Sequence, residues 1–233
     1  VFTCEVAASE MEATITARLV EGKQEGTAYS YTVKDYADYI LKNSEEEAEH
    51  YNPEYAKAAE MVQTMLDYGV YAEAYFEDNV DAPENSNIAT AFDTVAEEKK
   101  DLMDYKPVVN GSNTAFTYAG SSLILESEIK VRHYFKQTGD FIDYGLNPYE
   151  APDGETLEGT YYYYESDGIA AADYGRMTTY DGVEGISISY CPLSYVTTVL
   201  ANNNQELTDD TALQNLMKAL YLYYQAVVNY NTV

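Results

Sequence analysis

Two histidines, His50 and His133, are the imidazoles that could act as a base or bind a metal in this chain of 233 residues. His50 lies in the acidic segment EEEAEHYNPE, and His133 lies in an alternating segment typical of a β-strand. Neither has a second ligand at helical spacing, so the sequence predicts no histidine-based metal site. The same scarcity argues against a Ser–His–Asp triad. No GxSxG elbow, P-loop or GxGxxG fingerprint is present.

Carboxylates are abundant: 40 Asp and Glu stand against 13 Lys and Arg, giving a formal net charge of -27. Paired carboxylates can hydrolyse glycosides, but in a chain this acidic some will approach each other by chance. Runs such as Glu45–Glu47 and Glu97–Glu98 are typical of solvated helix surfaces. We therefore predict that the chain is not an enzyme and needs no cofactor. Its charge argues against nucleic-acid partners and against insertion into membranes, and no segment approaches transmembrane length.

Two structural questions stay open at this stage. The segment Asp78–Asn87, DNVDAPENSN, supplies oxygen ligands of the kind that Ca²⁺ prefers, although it does not match the EF-hand pattern. Cys4 and Cys191 form no CxxC motif, and a disulfide between them would require the two residues to lie close in the fold.

Tyrosine is the most unusual residue of the composition, with 26 Tyr, 6 Phe and no Trp. Tyr combines apolar area with a hydroxyl group and is favoured at recognition surfaces. Along the strand-like run Tyr161–Tyr164, alternate side chains must face opposite sides of a sheet. They either pack the sheet or form an aromatic strip that stacks on sugars or anchors a protein. The predicted binding residues are Tyr162 and Tyr164, with Tyr221 and Tyr224 beside the main apolar stripe of the last helix.

The elements that must position these residues occur twice. The segment SYTVKDYADYIL, Ser30–Leu41, reappears without a gap as SYCPLSYVTTVL, Ser189–Leu200. Each copy follows a short helical turn and a β-hairpin, and each precedes a long helix whose apolar residues recur at spacings of three and four. The tyrosines that belong to both copies are predicted to lie in the core: Tyr36, Tyr68, Tyr195 and Tyr223.

The predicted fold class is α+β, built from two related units. Each unit has an antiparallel, Ig-like or sandwich-like β portion followed by a helical hairpin. Residues 1–76 form the first unit, 77–113 a polar connector with a short helix at 95–103, and 114–233 the second unit. Val108–Asn113 is predicted to be a loop. The strands of 114–136 have no counterpart in the first unit, so we expect the natural protein to continue upstream with strands that complete it.

At this point the chain resembles a known kind of module. The segments GSSLILESEIKVRHYF, YTVKDYADYIL, MLDYGVYAEAYF and ALYLYYQA are similar to a tyrosine-rich module of large exported proteins from Gram-positive gut anaerobes. The resemblance covers nearly the whole chain and implies export and display at the bacterial cell surface. It carries over no catalytic residue. Some surface proteins of such anaerobes bind host immunoglobulin, which makes antibody one candidate partner.

The sequence is therefore interpreted as a non-catalytic binding module of a secreted or cell-surface bacterial protein. The predicted partner is a host or bacterial protein, with immunoglobulin as one candidate. Two alternatives remain: glycan binding through exposed tyrosines such as Tyr162 and Tyr164, and a structural spacer that displays neighbouring domains.

Overall fold

A computed structural model describes residues 6–48, 53–76, 88, 91–93, 102–126, 128–152, 156–200 and 211–232. The fold combines helices with antiparallel sheets, which confirms the α+β class. The chain divides into two compact units. Unit 1 comprises Val1–Asp93 together with Asp210–Val233, and unit 2 is Thr94–Asp209. The helix that the sequence assigns to the end of the second repeat thus belongs to the same compact unit as the first long helix.

In the ranges described, unit 1 contains a narrow β-ribbon and three long helices, and residues 88 and 91–93 are also helical. A 3₁₀ turn at Ala8–Glu10 precedes the ribbon. The two outer strands of the ribbon pair with each other, and so do the two strands at its tip. Both pairs are antiparallel. The strands are β1 (Ile15–Ala17), β2 (Val20–Glu21), β3 (Gln24–Glu25) and β4 (Tyr29–Tyr31). The helices are α1 (Val33–Ala48), α2 (Pro53–Phe76) and α4 (Thr211–Asn231).

Local chemistry explains where the first helices begin. At the start of α1 the Asp35 amide donates to Thr32 Oγ1 at 2.8 Å, and the Thr32 amide donates to Asp35 Oδ2 at 3.2 Å. This reciprocal pair satisfies backbone donors that the first turn of a helix leaves free. Helix α2 begins at Pro53, whose fixed φ suits the first helical position and which has no amide to satisfy.

Helices α2 and α4 pack through the apolar stripes that the sequence predicts. Tyr68 is 5% exposed, and its ring stacks on that of Tyr223 with centroids 6.1 Å apart and planes 9° apart. Burial raises the pKa of the Tyr68 phenol. Near the far end of the pair, Lys57 Nζ donates to the Asn229 carbonyl at 3.1 Å. The predicted core position of Tyr68 is confirmed, whereas Tyr223 packs against it but is only partly buried.

The predicted core position of Tyr36 is wrong. Its side chain is 57% exposed and that of Tyr39 is 63% exposed, whereas Ala37 is completely buried. Helix α1 therefore turns the small Ala37 toward its neighbours and leaves the two tyrosines in solvent. In the aligned segment, Tyr195 packs against the core of unit 2 and is partly buried.

The described residues of unit 2 form two antiparallel sheets and one α-helix. The strands of the four-stranded sheet are β6 (Phe116–Leu125), β7 (Ile129–Gln137), β8 (Asn147–Tyr149) and β9 (Tyr161–Glu165). Those of the three-stranded sheet are β5 (Val108–Gly111), β10 (Thr178–Tyr180) and β11 (Ile186–Tyr190). The first sheet has the order β6-β7-β9-β8, and the second has the order β10-β11-β5. The remaining elements are 3₁₀ turns at Leu102–Tyr105 and Ala171–Asp173, and helix α3 (Pro192–Leu200).

The core of unit 2 joins the inner faces of these two sheets. Along β7 every second residue is buried, in the alternation that the sequence predicts. Val131 and Phe135 share one apolar cluster with Ile186, Ile188 and Tyr190 of β11. The β-hairpin predicted before the second aligned segment is also confirmed, because β10 and β11 pair antiparallel.

Strand β5 replaces a predicted loop. Val109 pairs with Ile188, and Gly111 pairs with Ile186. The Asn-Gly pair reads as a turn signal in the sequence, but Val108 and Val109 have the β-branched side chains that suit a strand. Gly111 has φ +83, and a Cβ there would lie 2.0 Å from the Gly185 carbonyl oxygen. Glycine at position 111 therefore allows its backbone to approach that of Gly185 closely, at the end of the pairing between β5 and β11.

Several predictions concern residues outside those described. They are the calcium loop Asp78–Asn87, Cys4 with its disulfide, and His50. Of the predicted helix 95–103, the last two residues are described, and they begin the 3₁₀ turn at Leu102–Tyr105.

Candidate binding surfaces

Tyr162 and Tyr164 face inward. The register of β7 and β9 places Tyr162 opposite Phe135 and Tyr164 opposite His133, so both tyrosines lie on the inner side of the sheet. Tyr162 meets Phe116 edge-to-face, with centroids 5.5 Å apart and planes at 90°. The two tyrosines are partly buried among core aromatics and do not form the outward strip of their strand.

Tyr221 and Tyr224 lie on helix α4 of unit 1. Tyr221 has no exposed area, and its ring meets that of Phe92 edge-to-face at 5.6 Å. We therefore assign Tyr221 to the core rather than to a binding surface. Tyr224 is partly buried, and its predicted role in binding stays a prediction.

The outward tyrosines of β9 are Tyr161 and Tyr163. Cation–π contacts cover both rings: Arg132 Cζ lies 4.3 Å from the centroid of Tyr163, and Lys136 Nζ lies 5.7 Å from that of Tyr161. Four identical residues in a row carry no hydropathy alternation, so the sequence could not show which pair faces outward. The residues of β7 alternate clearly in hydropathy, so its pairing with β9 is the signal that could have shown which tyrosines face outward.

These residues belong to a surface that we call the outer sheet face. It consists of the outward side chains of β7, β8 and β9: Lys130, Arg132, Tyr134, Lys136, Asn147, Tyr149, Tyr161, Tyr163 and Glu165. Within it, Arg132 Nε donates to Glu165 Oε2 at 2.9 Å, and Lys130 Nζ lies 3.6 Å from Glu165 Oε1. In the part of the chain that the structure describes, no carboxylate lies within ion-pair distance of Lys136.

Unit 1 carries a second candidate surface, made of strongly exposed apolar side chains on the ribbon and on α1. We call it the ribbon surface and define it by six side chains of the ribbon and α1: Leu19, Val20, Tyr29, Tyr31, Tyr36 and Tyr39. Their exposed fractions run from 50% for Tyr31 to 74% for Tyr29. A groove of about 700 Å³ lies against the same ribbon and is lined by Leu19 and Tyr29 with neighbouring residues of β1. Concentrated exposed apolar area of this kind commonly marks an interaction site.

The ribbon also has an open strand edge. Strand β4 pairs with β1 on one side, and no other described strand pairs with it. An open edge presents unpaired backbone N–H and C=O groups to any extended chain that can reach it. The ribbon surface thus combines aromatic side chains with a hydrogen-bonding edge.

His133 forms the one described pair that approaches a nucleophile–base arrangement. Ser121 Oγ lies 2.6 Å from His133 Nδ1, and the Tyr118 hydroxyl lies 2.6 Å from Ser121 Oγ. His133 is 4% exposed and is surrounded by the rings of Tyr164, Tyr180 and Tyr190. Burial lowers the pKa of His133 to about 4. We interpret this pair as a hydrogen-bonded element of the core, because a substrate would have to enter the packed interior to reach it.

The described ranges contain no group of three or more His, Cys, Asp or Glu that could hold a metal ion. Cys191 is buried, with its Sγ 3.6 Å from Ser194 Oγ, and burial raises the pKa of its thiol. Among the described helices, none combines the length and apolar character needed to cross a bilayer.

Comparison of the chain with protein-family models, with curated proteins and with solved structures gave no match. The resemblance to a tyrosine-rich module of exported proteins therefore stays a prediction.

Proposed function

We propose that the chain is a non-catalytic binding module of a secreted or cell-surface bacterial protein, and that its ribbon surface contacts a protein partner. The observation that carries this proposal is the ribbon surface itself, where four tyrosines and two aliphatic side chains are each at least half exposed. Tyrosines that become buried at an interface often dominate the binding free energy. A partner that covers this surface would remove exposed apolar area from water, which favours binding.

The open edge of β4 supplies the second part of the proposed contact. An extended segment of the partner can pair with this edge through backbone hydrogen bonds, as in other cases of β-strand addition. Tyr29 and Tyr31 are two residues apart and lie on one side of the strand, where they can hold the side chains of the added segment. Edge pairing gives affinity, and the tyrosines give selectivity.

Charge supports a protein partner at this surface. The ribbon carries Arg18 and Lys23 against Glu21 and Glu25, so it is close to neutral within a chain of net charge -27. Arg18 and Glu25 form an ion pair with each other. The ribbon surface is thus spared most of the repulsion that the rest of the chain imposes on acidic proteins. Host immunoglobulin stays the candidate partner to which the resemblance points.

We further infer that the two aligned segments are copies of one unit, each with a β portion and a pair of helices. The hairpin β1–β4 and the hairpin β10–β11 pair in the same register around the aligned serines. Thr16 Oγ1 lies 2.8 Å from Ser30 Oγ, and Thr179 Oγ1 lies 3.0 Å from Ser189 Oγ. A side-chain hydrogen bond repeated at matched positions supports common construction.

The test is binding to a panel of host proteins that includes immunoglobulin G, measured by biolayer interferometry. The double substitution Tyr29→Ala with Tyr31→Ala should weaken any interaction about tenfold or more, as expected for hot-spot tyrosines. Tyr55→Ala is the matched control, because Tyr55 is 42% exposed on α2 and lies outside the ribbon surface.

Two outcomes would count against the proposal. If no protein of the panel binds at micromolar concentration, the spacer interpretation gains ground. If a partner binds the double variant as tightly as the wild type, the contact lies elsewhere on the module.

A further inference from the structure

We propose that the outer sheet face of unit 2 is a second, independent binding site, and that it takes a carboxylate-bearing saccharide. This site is separate from the ribbon surface and does not depend on the protein partner.

Charge complementarity is the first argument. The outer sheet face carries three cations, Lys130, Arg132 and Lys136, against one carboxylate, Glu165. The outward residues of the adjoining strand β6 add no charge: Thr117, Gly120, Ser122 and Ile124. The face is therefore locally positive on a chain whose net charge is -27. Such an island attracts a small anion, whereas the net charge opposes approach by a second copy of the chain.

The three cations of the outer sheet face each contact a neighbouring side chain, but they differ in how free they are to bind a ligand. Arg132 directs Nε and Nη2 to Glu165 at 2.9 and 2.5 Å while its guanidinium lies over Tyr163. Lys130 also lies near Glu165. Lys136 is different, since its ammonium group lies over Tyr161 without a carboxylate among the residues described. Lys136 is thus the group best placed to bind an incoming carboxylate, with the remaining donors of Arg132 nearby.

The tyrosines determine the class of ligand. Tyr149 meets Tyr134 edge-to-face at 5.0 Å and Tyr163 edge-to-face at 6.4 Å. The Tyr134 hydroxyl is fixed by Ser122 Oγ at 3.0 Å. The rings therefore stand at steep angles to one another, and the face presents ring edges and several hydroxyl groups beside its cations, which suits the C–H groups and hydroxyls of sugar rings. Sugar hydroxyls can pair with these phenol hydroxyls while the ligand's carboxylate meets Lys136, so the saccharide is favoured over an acidic peptide.

The experiment titrates the protein with hexagalacturonate and with sialyllactose, using lactose as the neutral reference and hexaglutamate as the acidic peptide. Binding is followed by two-dimensional NMR of the backbone amides, which also verifies that each variant is folded. We expect at least one acidic saccharide to shift amides of β7 and β9, and the affinity to fall as salt rises. Lactose and hexaglutamate should bind more weakly.

Substitutions then locate the site. Lys136→Ala should weaken saccharide binding about tenfold or more, as for a lost charge-assisted bond, and Lys136→Arg should restore much of it. Lys106→Ala is the control, because Lys106 is exposed in unit 2 but lies outside the outer sheet face. The Tyr29 and Tyr31 double variant should bind saccharide normally, which separates this site from the ribbon surface.

Three results would overturn the inference. They are no amide shifts with either acidic saccharide at millimolar concentration, unchanged affinity in Lys136→Ala, and binding of hexaglutamate as tight as that of the acidic sugars. The last result would show that charge alone, without sugar recognition, attracts ligands to this face.

Discussion

The β1–β4 hairpin of unit 1 and the β10–β11 hairpin of unit 2 have the same local bonding and very different surroundings. Tyr31 lies opposite Ile15, and Tyr190 lies opposite Thr178, at the same position in each pairing. Tyr31 is 50% exposed, but Tyr190 is 3% exposed. The difference arises outside the hairpins: β11 has β5 on its second edge and shares an apolar cluster with the four-stranded sheet.

The connections around the two hairpins also match. The Lys34 amide donates to the Met11 carbonyl at 3.1 Å, and the Leu193 amide donates to the Tyr174 carbonyl at 3.1 Å. Each bond ties the start of a helix to the end of a 3₁₀ turn. Local hydrogen bonds therefore set the hairpin geometry in both places, whereas burial of the tyrosine depends on whether a second sheet is present.

Alanine substitution of the two aligned tyrosines should give the largest contrast. Tyr190→Ala removes a buried ring and should lower the free energy of unfolding of unit 2 by about 3–5 kcal/mol. Tyr31→Ala removes a half-exposed ring and should cost unit 1 no more than about 1 kcal/mol. Urea denaturation followed by amide hydrogen exchange in each unit measures both effects. Equal losses would contradict the view that surroundings, and not local pairing, separate the two hairpins.

The second contrast concerns pH. Burial holds the pKa of His133 at about 4, below its usual 6.5, so the unfolded chain binds the proton more readily. Unit 2 should therefore lose stability as the pH falls from about 6.5 toward 4, by about 3 kcal/mol in the limit. The groups facing the imidazole from its neighbouring strands are neutral hydroxyls: Tyr118, Ser121, Tyr164, Tyr180 and Tyr190.

His133→Gln isolates this contribution, because a neutral amide can still bond to Ser121 but does not titrate. Hydrogen exchange of unit 2 amides is measured between pH 4 and 7 for both proteins. The wild type should show the steeper loss. The same slope in both would show that the pH dependence comes from carboxylates rather than from His133.

The smallest expected effect is a nearly equal loss of stability in the two hairpins. Thr16→Val and Thr179→Val each remove the exposed hydrogen bond to the serine of the partner strand. Each should cost about 0.5 kcal/mol or less, by nearly the same amount in both hairpins. Denaturant midpoints of the single variants provide the comparison. A much larger loss at Thr179 would show that the covering sheet strengthens bonds at the hairpin surface as well.

The sequence predicted best what is decided locally. The starts of α1 and α2 follow from a capping pair and a proline, and the inner face of β7 follows from the alternation of Ile129, Val131, His133 and Phe135. The hairpins and 3₁₀ turns of both aligned segments were predicted for the same reason. Each of these features depends on residues within a few positions of one another.

What the sequence did not predict depends on distant pairing. The inward pair of the run Tyr161–Tyr164 is fixed by register with β7, which four identical residues cannot reveal. Strand β5 was missed because its partner β11 lies far along the chain. Tyr36 was placed in the core because it aligns with Tyr195, but alignment carries no information about what covers each copy. The outer sheet face and the ribbon surface emerge only once these long-range neighbours are known.

The division of unit 1 into two chain segments has a consequence for biosynthesis. Helices α2 and α4 must pair although all of unit 2 lies between them in the sequence. The hydrogen bond between Lys57 and Asn229, 172 positions apart, illustrates this separation. During translation, α2 leaves the ribosome with its apolar stripe uncovered, and the intervening chain takes on the order of 10 s to synthesise. Unit 2 is continuous and can fold during that interval. Unit 2 should therefore acquire protease resistance first, and the segment of unit 1 that precedes it should stay dependent on chaperones until α4 emerges.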